Sequence, residues 1–213
     1  MMSKYLAVLL MGVLAGSVAA GVPERTASGH TVVSTHDPRL QVDVPGSATY
    51  IGGDRWIIKE YADDVELHAF ADLRMGNQVE RLYWLQFEAY LPSHPEFHHS
   101  YDSKRHVTLG GMDFLVDTWV KSTATEDEPD SDTAHLKALL GAKGYRLPAS
   151  MMSVRFVHLM DDGRKELMFI YSEDLAPRGL TAADLAPGGK DHGQWPTLES
   201  ALIARGMGSL RFR

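Results

Sequence analysis

The sequence predicts an α+β fold, a single domain in which a few helices pack on a twisted, mainly antiparallel sheet of hairpins. Three observations carry that prediction. Apolar residues recur with period two through several long segments, as strands with distinct faces require. Two junctions between such segments hold Gly76-Asn77 and Asp162-Gly163, dipeptides that tolerate positive φ and so close hairpins. Helix signals are confined to three short stretches, and hairpins interspersed with a few helices define the α+β class.

Residues 1 to 20 read as a cleaved secretory signal. Lys4 supplies the positive start, Tyr5 to Val18 is an apolar run, and Val18-Ala19-Ala20 offers small residues for cleavage near Ala20. The run is short of the roughly 20 apolar residues a membrane span takes. The expected product is periplasmic or secreted, with no membrane insertion after cleavage. Residues 21 to 30, small and polar, read as a flexible lead-in, and residues 31 to 213 as the domain.

Thr31 to Ser34 and Leu40 to Val44 are short strand candidates on either side of the turn-forming Asp37-Pro38. Trp56 to Tyr61, Val65 to Leu73 and Val79 to Leu91 read as a three-strand meander. With Gly76-Asn77 as a two-residue loop, counting outward sets Asp72 against Arg81 and Phe70 against Tyr83 on one face. Ala71 then meets Leu82, and Ala69 meets Trp84, on the other. Asp63-Asp64 is read as the turn before the second of these strands. After a loop, Phe114 to Val120 is a further strand. Ser131 or Asp132 is suited to cap a helix over Thr133 to Lys143, with Leu136, Leu139 and Leu140 on one side and Gly144 as its stop. The Asp162-Gly163 hairpin pairs Phe156 with Phe169 and His158 with Leu167, and its two apolar faces place it inside the sheet. Short helices are expected at Thr181 to Leu185 and from Pro196 to about Arg205.

Composition narrows the function classes. The chain carries 21 basic and 28 acidic residues, a net charge of −7, so general electrostatics do not favour nucleic acid as a partner. It has no cysteine, which excludes disulfides, thiolate metal sites, thiol catalysis and lipid attachment at the cleavage site. Phosphate-binding loops, dinucleotide fingerprints, the Gly-x-Ser-x-Gly elbow and His-Glu-x-x-His are absent, and no cofactor is expected.

The most unusual stretch is Arg81 to His106. On its strand portion Trp84, Gln86, Glu88 and Tyr90 share one face, so an amide and a carboxylate interrupt an apolar layer. Such a face suits the wall of a ligand pocket, where a few polar groups orient a bound molecule. The plain alternative is that this end of the sheet is solvated. His94, His98, His99 and His106 then follow, with Glu96 and Asp102 among them. Imidazole and carboxylate are the ligands left to a metal when thiolates are missing, but Pro95 breaks the segment and no helical spacing orients the rings. A surface loop rich in histidine, with no specific metal, is the favoured reading, since a compositional cluster alone is weak evidence of a site. His68 and His158 read as hydrogen-bonded core or rim histidines, and Glu126 to Asp132 as a solvated acidic loop lacking the glycine and glutamate of a calcium hand.

Arg81-Leu82-Tyr83-Trp84, Gln86-Phe87-Glu88 and Tyr90-Leu91-Pro92, with Glu173-Asp174-Leu175 and Leu180 to Leu185, resemble bacterial exported proteins of unassigned function that share an RLYW-x-QFE-x-YLP segment. The resemblance spans most of the chain after the signal and implies no activity and no catalytic residue. The expectation from sequence is therefore an exported protein that binds a small, partly apolar ligand or an envelope protein. The rivals are a secreted hydrolase using Glu88 with a histidine of the 94 to 106 loop, and a periplasmic metal-handling protein.

Overall fold

A computed structural model describes residues 21–58, 60 and 62–213; the signal read from residues 1 to 20 lies outside them. In chain order the elements are β1 (Thr26–Ser28), β2 (Thr31–Ser34), β3 (Leu40–Asp43), β4 (Thr49–Ile58), β5 (Asp63–Arg74), β6 (Gln78–Tyr90), β7 (Arg105–Leu109) and β8 (Met112–Ser122). There follow α1 (Asp132–Ala142), β9 (Ser150–Met160), β10 (Lys165–Asp174), α2 (Ala182–Leu185), α3 (Trp195–Gly208) and β11 (Arg211–Phe212). The class is α+β, as expected, but there are two antiparallel sheets rather than one. Seven strands run in the order β4-β5-β6-β10-β9-β8-β7, and a smaller sheet has the order β1-β2-β3-β11.

The large sheet is apolar on both faces because its central strands are, and each face builds its own core. On one face Phe70, Leu85, Phe156 and Phe169 pack with Val32 and Val42 of the small sheet and with Leu202 of α3. On the other, Leu67, Trp84, Val157 and Met168 pack with Leu136 and Leu140 of α1. In α3, Gly206 lets the helix lie close on β9: an added Cβ would stand 2.9 Å from Val154 Cγ1 and 3.0 Å from Phe156 Cε2. Gly206→Val should therefore destabilise the protein by about 1–3 kcal/mol through overpacking, seen as a lower urea midpoint; an unchanged midpoint would mean that this contact has slack.

The two hairpin registers hold. Asp72 pairs with Arg81, Phe70 with Tyr83, Ala71 with Leu82 and Ala69 with Trp84, while Phe156 pairs with Phe169 and His158 with Leu167. The first turn is longer than expected, since the last pair is Arg74 with Gln78. Met75, Gly76 and Asn77 thus form a three-residue loop, with Gly76 and Asn77 at φ 82° and 60°. A bulge follows, because Leu73 pairs with Val79 and Asp72 with Arg81, leaving Glu80 extra. The bulge cancels the one-residue offset and restores the alignment that packs both faces.

Helix α1 starts one residue earlier than read, with the Ser131 hydroxyl accepting from the Ala134 N–H, and Gly144 follows at φ 72°. His135 anchors it to β4 by stacking on Trp56 at 3.8 Å and bonding Asp54 Oδ2 at 2.7 Å. Strands β1, β7 and β11 were not read from sequence, being short; in β7 only Val107 and Leu109 turn toward the core. Strand β1 falls within the stretch read as a flexible lead-in and pairs with β2. Asp63 and Asp64, read as a turn, instead open β5. Among the described residues no helix is long and apolar enough to cross a membrane.

Candidate functional site

The β6 face that carries Trp84, Gln86, Glu88 and Tyr90 is the face α1 covers, and the helix divides it between two sites. Between α1 and β8 lies a cleft of about 210 Å³. Its floor is Leu82, Met151, Met168 and Ile170, and Trp84, Trp119 and Leu136 rise around it. Polar side chains line it too, Lys121 and Lys137 among them. Ser153 and Ser172 bond each other at 2.8 Å, and Asp132 and Arg155 also line the cleft. Arg155 donates from Nη2 to Asp117 at 2.7 Å and lies over the Tyr101 ring at 4.7 Å. Its buried Nε makes no hydrogen bond.

The second site lies where β5, β6 and β10 run side by side. Val65 pairs with Glu88 and Asp63 with Tyr90, so Asp63 and Glu88 are diagonal neighbours on one face. Glu166 pairs directly with Glu88 from the other flank. The segment after β6 folds over them, because Arg164 donates to the carbonyls of Tyr90, Leu91, His94 and Phe97 at 2.9–3.3 Å. The His99 N–H donates to Gly163 O at 2.7 Å. Gly163 serves twice here, at φ 82° in its turn and with room for no Cβ, which would stand 2.9 Å from His99 O.

That segment delivers His99 and Tyr101. The Tyr101 hydroxyl lies 2.8 and 3.0 Å from the two oxygens of Glu166. His99 stacks on Tyr90 at 4.4 Å, with Nδ1 3.5 Å from Glu166 Oε2 and Nε2 3.8 Å from Asp63 Oδ2. Its side chain is 7 % exposed, and Nε2 makes no hydrogen bond; neither does Asp63 Oδ1. Asp63, Glu88 and His99 each offer a ligand atom within 4.8 Å of the others.

Burial dominates the electrostatics. It raises Asp63 to about 6 and Glu166 to about 7, and holds Glu88 well above the usual carboxylate range, with the other carboxylates adding to the rise. Burial also lowers His99 to about 4, helped by His98. Asp132 is raised for the same reason. Gln86 joins the two sites. It accepts from Trp84 Nε1 at 2.6 Å and donates to Asp132 Oδ2 at 3.0 Å and to the Glu88 carboxylate.

The residues singled out from sequence thus part company. Trp84 lines the cleft, Gln86 is fully buried beneath α1, and Glu88 and Tyr90 belong to the carboxylate cluster. Trp84 and Gln86 are buried on this face, whereas Glu88 and Tyr90 at its end are half-buried. Of the four histidines only His99 joins the cluster. His98 is exposed with Nδ1 3.2 Å from Glu96 O, His94 stacks on Phe97 at 5.1 Å, and His106 is exposed on β7. Sequence reading missed Glu166, Tyr101, Trp119 and Arg155, and set Asp63 aside as part of a turn. Asp63 was within reach, because counting back from the Gly76 turn sets it opposite Tyr90. Glu166 was not, since β6 and β10 are joined by no turn.

No protein-family model, no curated protein and no solved structure matches this chain, and the fold alone does not fix a function. Function is therefore read from the chemistry of these two sites.

Proposed function

We propose that this is an exported protein that binds a small, partly apolar molecule bearing an anionic acceptor, in the cleft between α1 and β8. The observation that carries the reading is the Arg155 Nε, a buried donor without a partner in a residue that lines the cleft beside Trp84 and Trp119. Buried donors are rarely left unmatched, and a carboxylate is the acceptor a guanidinium fits best. Trp84 and Trp119 supply flat apolar walls, while Ser153 and Ser172 give the floor one neutral polar point. The volume suits a single ring or a short chain. The pattern from Lys4 to Ala20 supports export.

Tryptophan fluorescence tests this with a series of carboxylates from benzoate to octanoate, each paired with its neutral amide. A saturable change is expected for the acids. Arg155→Met should weaken them by about tenfold or more, as loss of a hydrogen bond to a charged group implies, and bring acid and amide level. Acids and amides binding equally to the unaltered protein, or neither binding, would sink the reading.

A further inference from the structure

We propose that Asp63, Glu88 and His99 form a binding site for one divalent transition-metal ion of the manganese, iron or zinc kind. This goes beyond the cleft, since none of the three residues lines it. The three ligand atoms lie within 4.8 Å of one another, close enough for one ion to draw them to coordination distance. They come from two adjacent strands and a docked loop, so the cluster is assembled by the fold and is not an acidic surface run. His99 Nε2 is the second, independent observation. It belongs to a side chain only 7 % exposed, makes no hydrogen bond, and stands 3.8 Å from Asp63 Oδ2. A nitrogen lone pair buried against a carboxylate is a poor arrangement without a proton or a cation between them.

The surroundings supply the support a ligating histidine needs. Glu166 faces the other ring nitrogen, 3.5 Å from Nδ1, and is itself held by Tyr101. A carboxylate behind Nδ1 favours the tautomer whose lone pair is on Nε2, the usual outer-shell arrangement at metal sites. Gln86 likewise orients Glu88. Among the described residues no lysine or arginine bonds Asp63 or Glu88, and Arg155 is bonded to Asp117. Two carboxylates and a neutral imidazole around a dication sum to zero charge. One nitrogen and two oxygen donors match manganese, iron or zinc, whereas calcium and magnesium prefer oxygen alone and copper(I) prefers sulfur.

Isothermal titration of the chelator-treated protein with Zn²⁺, and separately with Mn²⁺, tests the site. One equivalent should bind saturably. Asp63→Asn, Glu88→Gln and His99→Ala should each weaken binding by on the order of 100-fold, and Tyr101→Phe by about 10-fold, at the level of outer-shell changes. The double change His94→Ala with His98→Ala should leave it unaltered. Asp63→Asn and Glu88→Gln keep the volume of the side chain and remove only charge, so they report on the site even if His99→Ala fails to fold; circular dichroism verifies that they fold. Absence of saturable binding to the unaltered protein overturns the proposal. So does undiminished affinity in folded Asp63→Asn and Glu88→Gln, or loss of binding on removal of His94 and His98 instead.

Discussion

Replacing Glu66 with glutamine is expected to cost about 3–5 kcal/mol of stability, the penalty for stranding a buried charge. The Glu66 carboxylate accepts from the backbone N–H groups of Glu24 and Arg25 at 3.0 and 2.8 Å, from the Arg25 guanidinium at 3.1 Å, and lies 2.9 Å from His68 Nε2. Arg25 and Glu66 expose only 8 % and 3 % of their side chains. The guanidinium lies 3.8 Å over the Phe87 ring and also bonds Ser34 Oγ and Asp37 O. The pair therefore ties the segment before β1 and the small sheet to the large one. Desolvation falls on the arginine, whose pKa burial lowers. Burial also opposes ionisation of Glu66, but the hydrogen bonds outweigh it and bring the carboxylate to about 2. Because that value lies below its ordinary one, the contribution is full at neutral pH and is lost progressively as pH falls from the ordinary carboxylate range through about 2. Urea unfolding of Glu66→Gln measures the effect; a loss below about 1 kcal/mol would place the pair among screened surface bridges. Replacing both partners together, Arg25→Met with Glu66→Leu, should recover part of the loss.

The chelator-treated protein should be more stable at pH 5 than at pH 8, by on the order of 2 kcal/mol. The raised carboxylates gain more at pH 5 than is lost there by His99, which burial lowers to about 4. Burial raises Asp63 and Glu166 in the folded state to about 6 and about 7. Groups raised in this way bind protons more tightly folded than unfolded, so their contribution is full below the unfolded values. It is lost as pH climbs through 6 and 7. The neighbouring charge of Asp132 adds to the rise of both. Glu88→Gln should flatten the profile, since it removes a carboxyl that burial itself holds well above its ordinary range. Urea unfolding at the two pH values checks this, and equal stability at both would mean that water reaches the cluster and screens it. The sign is opposite to that of Glu66, so the two effects separate on the pH axis.

How much of this was legible follows from which contacts are local. The hairpins were read in register because a turn dipeptide ties each strand to its neighbour, and alternation rejects a slip of one residue. The bulge at Glu80 shows that alternation rules over the turn: the loop is one residue longer than expected, and the chain inserts a residue to keep Phe70 on Tyr83. His68 was read as a hydrogen-bonded core or rim histidine, and it lies between Glu66 and the Tyr50 hydroxyl. The helix cap at Ser131 was equally local. Strands β2 and β3 were read, but their separation into a second sheet was not, because β1 is short and β11 reaches β3 from the far end of the chain.

The candidate sites divide in the same way. Sequence by itself determined that Glu88 interrupts an apolar face and that histidines follow it, because strand periodicity and composition need no knowledge of distant partners. Only the tertiary structure decided which histidine matters and what Glu88 meets. Glu166 reaches Glu88 through a strand pairing that no turn dictates, and His99 reaches Asp63 because Arg164 and Gly163 pin the intervening loop. Burial, which sets the charge state of the cluster and leaves Nε2 of His99 without a hydrogen bond, is a property of the packed molecule: desolvation depends on everything that surrounds a group, and almost none of that is adjacent in the chain.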